Sequence, residues 1–179
     1  MFDSGDHAIM REDEVFNIGD KVIHPAYGAG TIKDINEKQI RDQICAYYVI
    51  ELLGQTGTLM VPVSRANELG LRLPLEKPDR VFTILNSEPD SLPADHRERQ
   101  ESISTGIRTG DVLKISEAVR DLAHRDRADK LTEVDLRLFR QAQDLLVGEL
   151  ALSQNVDMDT AREQMAAALD ALRSEEESV

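Results

Sequence analysis

Two short apolar segments, Asp20-Lys-Val-Ile-His24 and Thr31-Ile-Lys-Asp-Ile35, decide the fold, together with the loop that joins them. The second segment alternates apolar and polar residues, which is the period of a half-buried β-strand. The loop begins at Pro25 and contains Gly28 and Gly30. Glycine suits a tight, strongly twisted turn because it adopts backbone conformations that other residues avoid. The stretch therefore predicts a β-hairpin near the start of the chain.

Further strand signals continue to about Leu73. Residues Ala46–Leu53 are rich in tyrosine, valine and isoleucine, and Thr58–Val63 follows a Gly54-Gln-Thr-Gly57 turn. Four or five short strands within about 60 residues suggest a small antiparallel β-barrel, because closure of a barrel removes unpaired strand edges.

The spacing of apolar residues changes to that of helices after Pro78. A short helix is predicted around Val81–Leu85, and a second over 94–108, where apolar residues are few. Three more amphipathic segments follow, and one of them begins with the capping sequence Thr132-Glu-Val-Asp135. We therefore expect a compact bundle of about five helices after the barrel. The predicted divisions are a flexible acidic leader (1–14), the barrel (15–73), a linker (74–79), the helical domain (80–174) and an acidic tail (175–179).

The negative charge lies mainly at the two ends of the chain. The protein has 179 residues and a net charge of −13. Residues 1–14 and 141–179 together hold 14 acidic and 3 basic residues, a net −11, which leaves −2 for residues 15–140. Net charge governs long-range steering, so a local basic surface can still exist on the nearly neutral middle of the chain.

Composition points to a soluble, cytoplasmic protein. Hydrophobic residues make up 41% of the chain, enough for a packed core, and there is no tryptophan. The longest apolar run, Ile44–Ile50, is too short to span a membrane, and no signal peptide is evident. Cys45, the one cysteine, cannot form an intramolecular disulfide.

The sequence offers little support for catalysis. The four histidines are scattered, without cysteine or histidine partners at the spacing of metal ligands. Gly28-Ala-Gly30 lacks the remaining residues of a dinucleotide or phosphate loop, and no Gly-x-Ser-x-Gly sequence occurs. We therefore predict no catalytic residue, no metal site, no cofactor and no enzymatic activity.

Two surfaces are candidates for binding a partner. Residues 96–140 hold ten basic side chains, eight of them arginine, among nine acids. This pattern fits a helical surface laced with salt bridges, and it also fits a face that contacts phosphates, which arginine grips in a bidentate way. In the barrel, Leu59-Met60-Val61-Pro62-Val63 suits an edge strand open to a partner, because Pro62 lacks a backbone N–H. It equally suits an ordinary edge strand whose side chains face the core.

The order of several short motifs resembles the CarD/CdnL family of bacterial RNA-polymerase-binding transcription regulators. The resemblance extends over about residues 15–155. In the barrel it rests on Phe16-x-Ile-Gly-Asp20-x-Val22, Pro25-x-x-Gly28-x-Gly30 and Met60-Val-Pro62. In the helical half it rests on Val81-Phe-x-Ile-Leu85, Gly110-Asp111, Glu117-Ala-Val-Arg-Asp-Leu122, Arg125-Asp126 and Leu145-Leu-Val-Gly-Glu-Leu-Ala151.

The resemblance implies a Tudor-like, SH3-like barrel that docks on the lobe of the RNA polymerase β subunit. Carried over by position, the polymerase-facing residues are Lys38, Met60, Val61 and Pro62. The helical domain of the family contacts promoter DNA at the upstream edge of the opening bubble, where a tryptophan wedges into the minor groove. The positions that match this DNA-contacting region are His96, Arg97 and Arg99.

This chain departs from the family at the DNA-contacting region. His96 stands where the family has the wedge tryptophan, and Glu98 and Glu101 occupy positions that tend to be basic. Our leading hypothesis is a monomeric, non-enzymatic factor that binds polymerase and stabilises the open promoter complex. The alternative is an acidic polymerase-binding relative whose helical domain has lost DNA binding and instead recruits, or competes with, another protein.

Overall fold

The N-terminal domain is an antiparallel sheet that curls into a half-barrel. The computed structural model describes residues 16–40, 43–128 and 131–176, with side chains up to residue 171. The predicted leader lies outside these residues, and of the predicted tail only the backbone of residues 175 and 176 is described. The strands pair in the order β1-β2-β3-β4. They are β1 (Lys21–His24), β2 (Gly28–Ile40), β3 (Gln43–Leu52) and β4 (Thr58–Pro62).

The core of the half-barrel is built around Tyr48, whose side chain is fully buried. The Phe16 ring meets it edge to face, with ring centroids 5.8 Å apart, and the Phe16 N–H donates to the Tyr48 hydroxyl at 3.2 Å. The pairing of β2 with β3 shifts register between Ile32 and Asp34. Such bulges bend a strand and increase its twist, and this one accounts for part of the curl.

The two glycines of the first loop have different structural roles. Gly28 has a φ of +80°, as expected for a residue at a tight turn. Gly30 lies within β2, where there is no room for a side chain. A Cβ atom there would stand 2.5 Å from Ile50 Cγ2 and 2.8 Å from the Glu51 carbonyl oxygen. Gly30 therefore allows β2 and β3 to approach closely.

Five helices form the C-terminal domain, as the apolar spacing predicts. Helix α2 begins at His96, two residues later than the predicted start, because Asp95 has an extended backbone and caps the helix. Thr132 and Asp135 form the predicted capping box at the start of α4. The helices are α1 (Asp79–Leu85), α2 (His96–Arg108), α3 (Val112–Ala128), α4 (Glu133–Gln154) and α5 (Met158–Glu176).

The helices bury one continuous aliphatic core. Val119, Leu122, Leu146 and Leu150 are fully buried within it. Helix α4 also packs against β2, so the two domains share a boundary in addition to the covalent connection. Among the described helices, none is both long enough and apolar enough to cross a membrane.

Candidate functional site

Strand β4 is an edge of the sheet, as its proline predicts. It pairs with β3 on one side, with Val49 opposite Met60 and Tyr47 opposite Pro62. Within the described residues it has no strand neighbour on its other side. An edge strand presents backbone groups to which a partner strand can add, and the side chains beside it provide specificity.

Three of the four residues predicted to face polymerase share the outer side of this sheet. Met60 and Pro62 are two positions apart on β4, and the Met60 side chain is 36% exposed. Lys38, on β2, is exposed and places its Nζ 3.5 Å from Met60 Sδ. Half-buried Tyr47 and Val49 lie between them on β3. We call Lys38, Tyr47, Val49, Met60 and Pro62 the docking face.

Val61 does not belong to the docking face. Successive side chains of a strand point to opposite sides of the sheet. Val61 is accordingly 2% exposed and packs into the core of the half-barrel, opposite Tyr48. Its side chain therefore points away from the docking face, and a polymerase contact at this position would use the backbone.

The residue predicted to replace the family tryptophan stands at the beginning of α2. His96 is the first residue of the helix and is exposed. The preceding Asp95 caps the helix by accepting hydrogen bonds from the backbone N–H groups of Arg97 and Glu98. The bond from Glu98 contributes most to lowering the pKa of the Asp95 carboxyl. The exposed charged side chains next to His96 in the sequence are those of Asp95, Arg97 and Glu98.

Arg99, the third residue predicted to contact DNA, is buried. Its side chain is 3% exposed, and its Nη2 lies 2.8 Å from Asp135 Oδ2 on α4. The same guanidinium donates to the carbonyl oxygens of Pro93 and Ala94. These internal partners satisfy the charge and the N–H donors of Arg99, which argues against the predicted contact of Arg99 with DNA.

The Arg99–Asp135 pair also fixes the ionisation of Asp135. Burial by itself raises the pKa of this carboxyl, but hydrogen bonds from Arg99 and Thr132 outweigh that effect and lower the pKa to about 2. The pair joins the segment before α2 to the capping box of α4. It therefore holds the beginning of α2, and with it His96, in a defined position.

Acid should remove the contribution of Asp135 to stability. Its folded-state pKa of about 2 lies below its ordinary value of 3.8, so the unfolded chain takes up the proton first as the pH falls. The contribution is complete above about pH 5, is lost progressively as the pH falls through 4 towards 2, and amounts to about 2 kcal/mol. Urea unfolding of the wild type and Asp135→Asn across this range measures it. An equal loss of stability in both proteins would contradict the assignment.

Several other basic side chains of the helical domain are held in ion pairs. Arg120 is 6% exposed and contacts Asp90 and Asp121, each at 2.7 Å. Arg127 contacts Asp170 at 3.1 Å. These contacts favour the salt-bridge interpretation of the basic residues for this part of the surface. No group of histidine, cysteine and acidic residues in the described ranges could hold a metal ion.

Comparison with known proteins identifies both domains. Residues 16–73 match the domain described as "CarD-like/TRCF RID domain", and residues 80–166 match "CarD, C-terminal domain". The chain belongs to the CarD-like family. The Bacillus subtilis (strain 168) protein named "Putative transcription factor YdeB" is 28% identical over 147 residues, which cover 79% of this chain and 94% of that relative. This CarD-like protein is thus a transcription factor with an N-terminal RNA-polymerase-interacting domain.

Two buried acids of this CarD-like protein were not identified as site residues from the sequence. Asp135 was recognised only as part of a helix cap, although an acid on the apolar side of a helix is itself a sign of a buried ion pair. Glu149 is a lone acid within the apolar stretch 145–151, and it is 2% exposed. An isolated charge in such a stretch usually has a partner, because an unpaired buried charge is costly.

Proposed function

We propose that this protein docks on the β subunit of RNA polymerase through the docking face and stabilises the open promoter complex through its helical domain. The observation that carries the first step is the convergence of Lys38, Met60 and Pro62 beside an open strand edge. The protein acts as a monomer in the cytoplasm, and residues 74–79 join a domain spanning 15–73 to one spanning 80–174. Neither step calls for a cofactor or a catalytic residue.

Docking combines two kinds of contact. The free edge of β4 offers its backbone to a strand of the polymerase, and Pro62 restricts the register because it cannot donate a hydrogen bond. Met60 supplies a flexible apolar side chain that adapts to the opposing surface. Lys38, beside Met60, adds a positive charge that favours an acidic segment of the partner.

The helical domain then acts by preferring one state of the promoter. A factor shifts the closed–open equilibrium only by as much as its affinity differs between the two states. His96 is exposed at the beginning of α2, where its ring can stack on a base freed by opening, and Arg97 can contact a phosphate. The imidazole is smaller than an indole, so its contribution should be modest.

One observation favours a second candidate function. With Arg99 buried, the exposed side chains around His96 are Arg97 and the acids Asp95, Glu98 and Glu101. Acids that face phosphates reduce attraction, since DNA binding depends mainly on neutralising phosphate charge. The helical domain of an acidic polymerase-binding relative could instead recruit another protein or compete with a more basic factor.

Substitution of Met60 tests docking. In Met60→Asp the apolar contact is replaced by a charge that binding would bury, so affinity for polymerase should fall by about tenfold or more. Binding to the isolated β subunit and to whole polymerase measures it. Ile18→Asp is the matched control: Ile18 is 60% exposed and precedes β1, at the other end of the strand order. Equal losses in the two variants would contradict the docking face.

Open-complex lifetime on a matched polymerase and promoter tests the DNA step. The wild type should prolong the lifetime, and His96→Ala should reduce the gain by up to about fivefold, corresponding to about 1 kcal/mol of stacking. Arg97→Glu should reduce the gain most at low salt, and its difference from the wild type should shrink as salt is raised. Arg108→Glu, on an exposed residue at the far end of α2, is the control. If the wild type binds polymerase without changing the lifetime, the second candidate function is favoured.

A further inference from the structure

The boundary between the two domains is unusually close. A Cβ atom on Gly148 of α4 would stand 2.9 Å from the Ala29 Cβ of β2, and one on Gly110 would stand 2.5 Å from the Pro25 Cβ. Real Cβ atoms rarely approach each other so closely, so both glycines are needed for this packing. The domains are thus fitted to each other at two separate places.

An ion pair between a partly exposed arginine and a buried glutamate crosses the same boundary. Glu149 of α4 accepts two hydrogen bonds from the Arg72 guanidinium, at 2.8 and 3.0 Å, and is 2% exposed. The backbone of Arg72 forms an antiparallel bridge with Ile23 of β1. Arg72 therefore belongs to the sheet by its backbone and to the helical domain by its side chain. The bidentate geometry constrains direction as well as distance.

The start of the predicted linker is also held against the helical domain. The Leu75 N–H donates to Glu149 at 2.7 Å, and the Leu75 carbonyl accepts a hydrogen bond from the Ser153 hydroxyl of α4. Residues 72–75 are consequently attached to β1 at one end and to α4 at the other. A free, flexible linker of six residues would instead have a root-mean-square end-to-end distance of roughly 13 Å and would fix no orientation of the domains.

We propose that this boundary, which we call the seam (Pro25, Ala29, Arg72, Gly110, Gly148 and Glu149), holds the two domains in one orientation while the protein acts. Glu149 and Arg72 are then positioning residues, which set where the beginning of α2 lies relative to the docking face. This inference rests on the proposed function for its consequence at the promoter. Its physical advantage is preorganisation: a domain already in place loses little orientational freedom when it meets DNA.

Two kinds of variant loosen the seam by different means. Gly148→Leu inserts a side chain where a single Cβ is already too close to Ala29, and Ala167→Leu, at an exposed position on α5, is its control. Arg72→Met with Glu149→Leu removes both charges together, so that no buried charge is left unpaired. Separate thermal melting of each variant verifies that both domains remain folded.

The test measures orientation and function separately. Spin labels at Ile18→Cys and Ser102→Cys, both exposed and both outside β4, in a Cys45→Ala background report the distance between the start of the half-barrel and α2. The wild-type protein should give one narrow distribution of label-to-label distances, and this distribution should not change when polymerase binds. The loosened variants should broaden it, keep polymerase affinity within about twofold, and lose most of the gain in open-complex lifetime.

The outcomes distinguish the seam from the proposed function. A broad wild-type distribution, or one that shifts on binding polymerase, overturns the seam whether or not the promoter responds. Broadened distances in the loosened variants with an undiminished lifetime gain overturn the positioning role of Arg72 and Glu149. A wild-type protein with a narrow distribution and no lifetime gain supports a rigid seam and contradicts the open-complex function.

Discussion

Replacing Asp135 with alanine is expected to lower the free energy of unfolding by about 3–5 kcal/mol. The change leaves the Arg99 guanidinium buried, with its charge unpaired, and it removes the capping box of α4. A charge left alone in a protein interior loses its hydration without gaining a partner, which costs far more than loss of a surface ion pair. Urea unfolding followed by circular dichroism at neutral pH measures the effect.

Two comparisons test the physical reason for this loss. Glu133→Ala removes an exposed acid from the first turn of the same helix and should cost no more than about 1 kcal/mol. Arg99→Met with Asp135→Leu removes both charges and should recover most of the stability, because the pair is then replaced by apolar packing. A cost below about 1 kcal/mol for Asp135→Ala would show that Arg99 finds another partner or reaches water.

Substituting alanine for Gly30 is expected to destabilise the protein by about 2–3 kcal/mol. The added methyl would stand 2.5 Å from a side-chain atom of Ile50 and 2.8 Å from the carbonyl oxygen of Glu51. Ile50 is itself 1% exposed in the core, and the carbonyl belongs to the neighbouring strand. Neither atom can move away without disturbing the core or the sheet, so the added methyl group must force β2 and β3 apart locally.

Gly106 provides the matched control for Gly30. It lies inside α2, and a Cβ atom there has no neighbour within 4 Å. Gly106→Ala should therefore stabilise the protein by about 0.5–1 kcal/mol, which is the difference in helix propensity between glycine and alanine. Thermal and urea unfolding of the two variants should give changes of opposite sign. Changes of the same sign would contradict the close strand approach at Gly30.

The arrangement of elements could be predicted because it depends on local patterns. The alternation in Thr31-Ile-Lys-Asp-Ile35 indicated a strand, and the capping sequence at Thr132 indicated the start of a helix. Pro62 indicated an edge strand because proline has no backbone N–H and therefore cannot complete the hydrogen-bond pattern of a central strand. Each of these signals is carried by residues close together in the chain. The structure confirms a small antiparallel β domain followed by five helices, with the sheet curled into a half-barrel where the strand signals suggested a closed barrel.

The roles of charged residues could not be predicted in the same way. Arg97 and Arg99 are two positions apart in α2, and composition treats them alike. One is exposed, whereas the other is buried against an acid 36 positions further along the chain. Which arginine turns inward depends on how α2 packs on α4, and helical spacing alone does not specify the neighbouring helix.

The amino-acid order was thus sufficient for the strands, the helices and the family, because periodicity, caps and turn residues act over a few positions. Only the packing of the whole chain decided which charged residues form ion pairs and which side chains lie together on the outer side of the sheet. Val61 and Met60 are adjacent in the chain, yet one is in the core and the other beside Lys38, on a different strand. Arg72 and Glu149 are 77 positions apart and meet at 2.8 Å. Such contacts form only when separate elements come together, because burial and charge pairing are properties of the assembled surfaces.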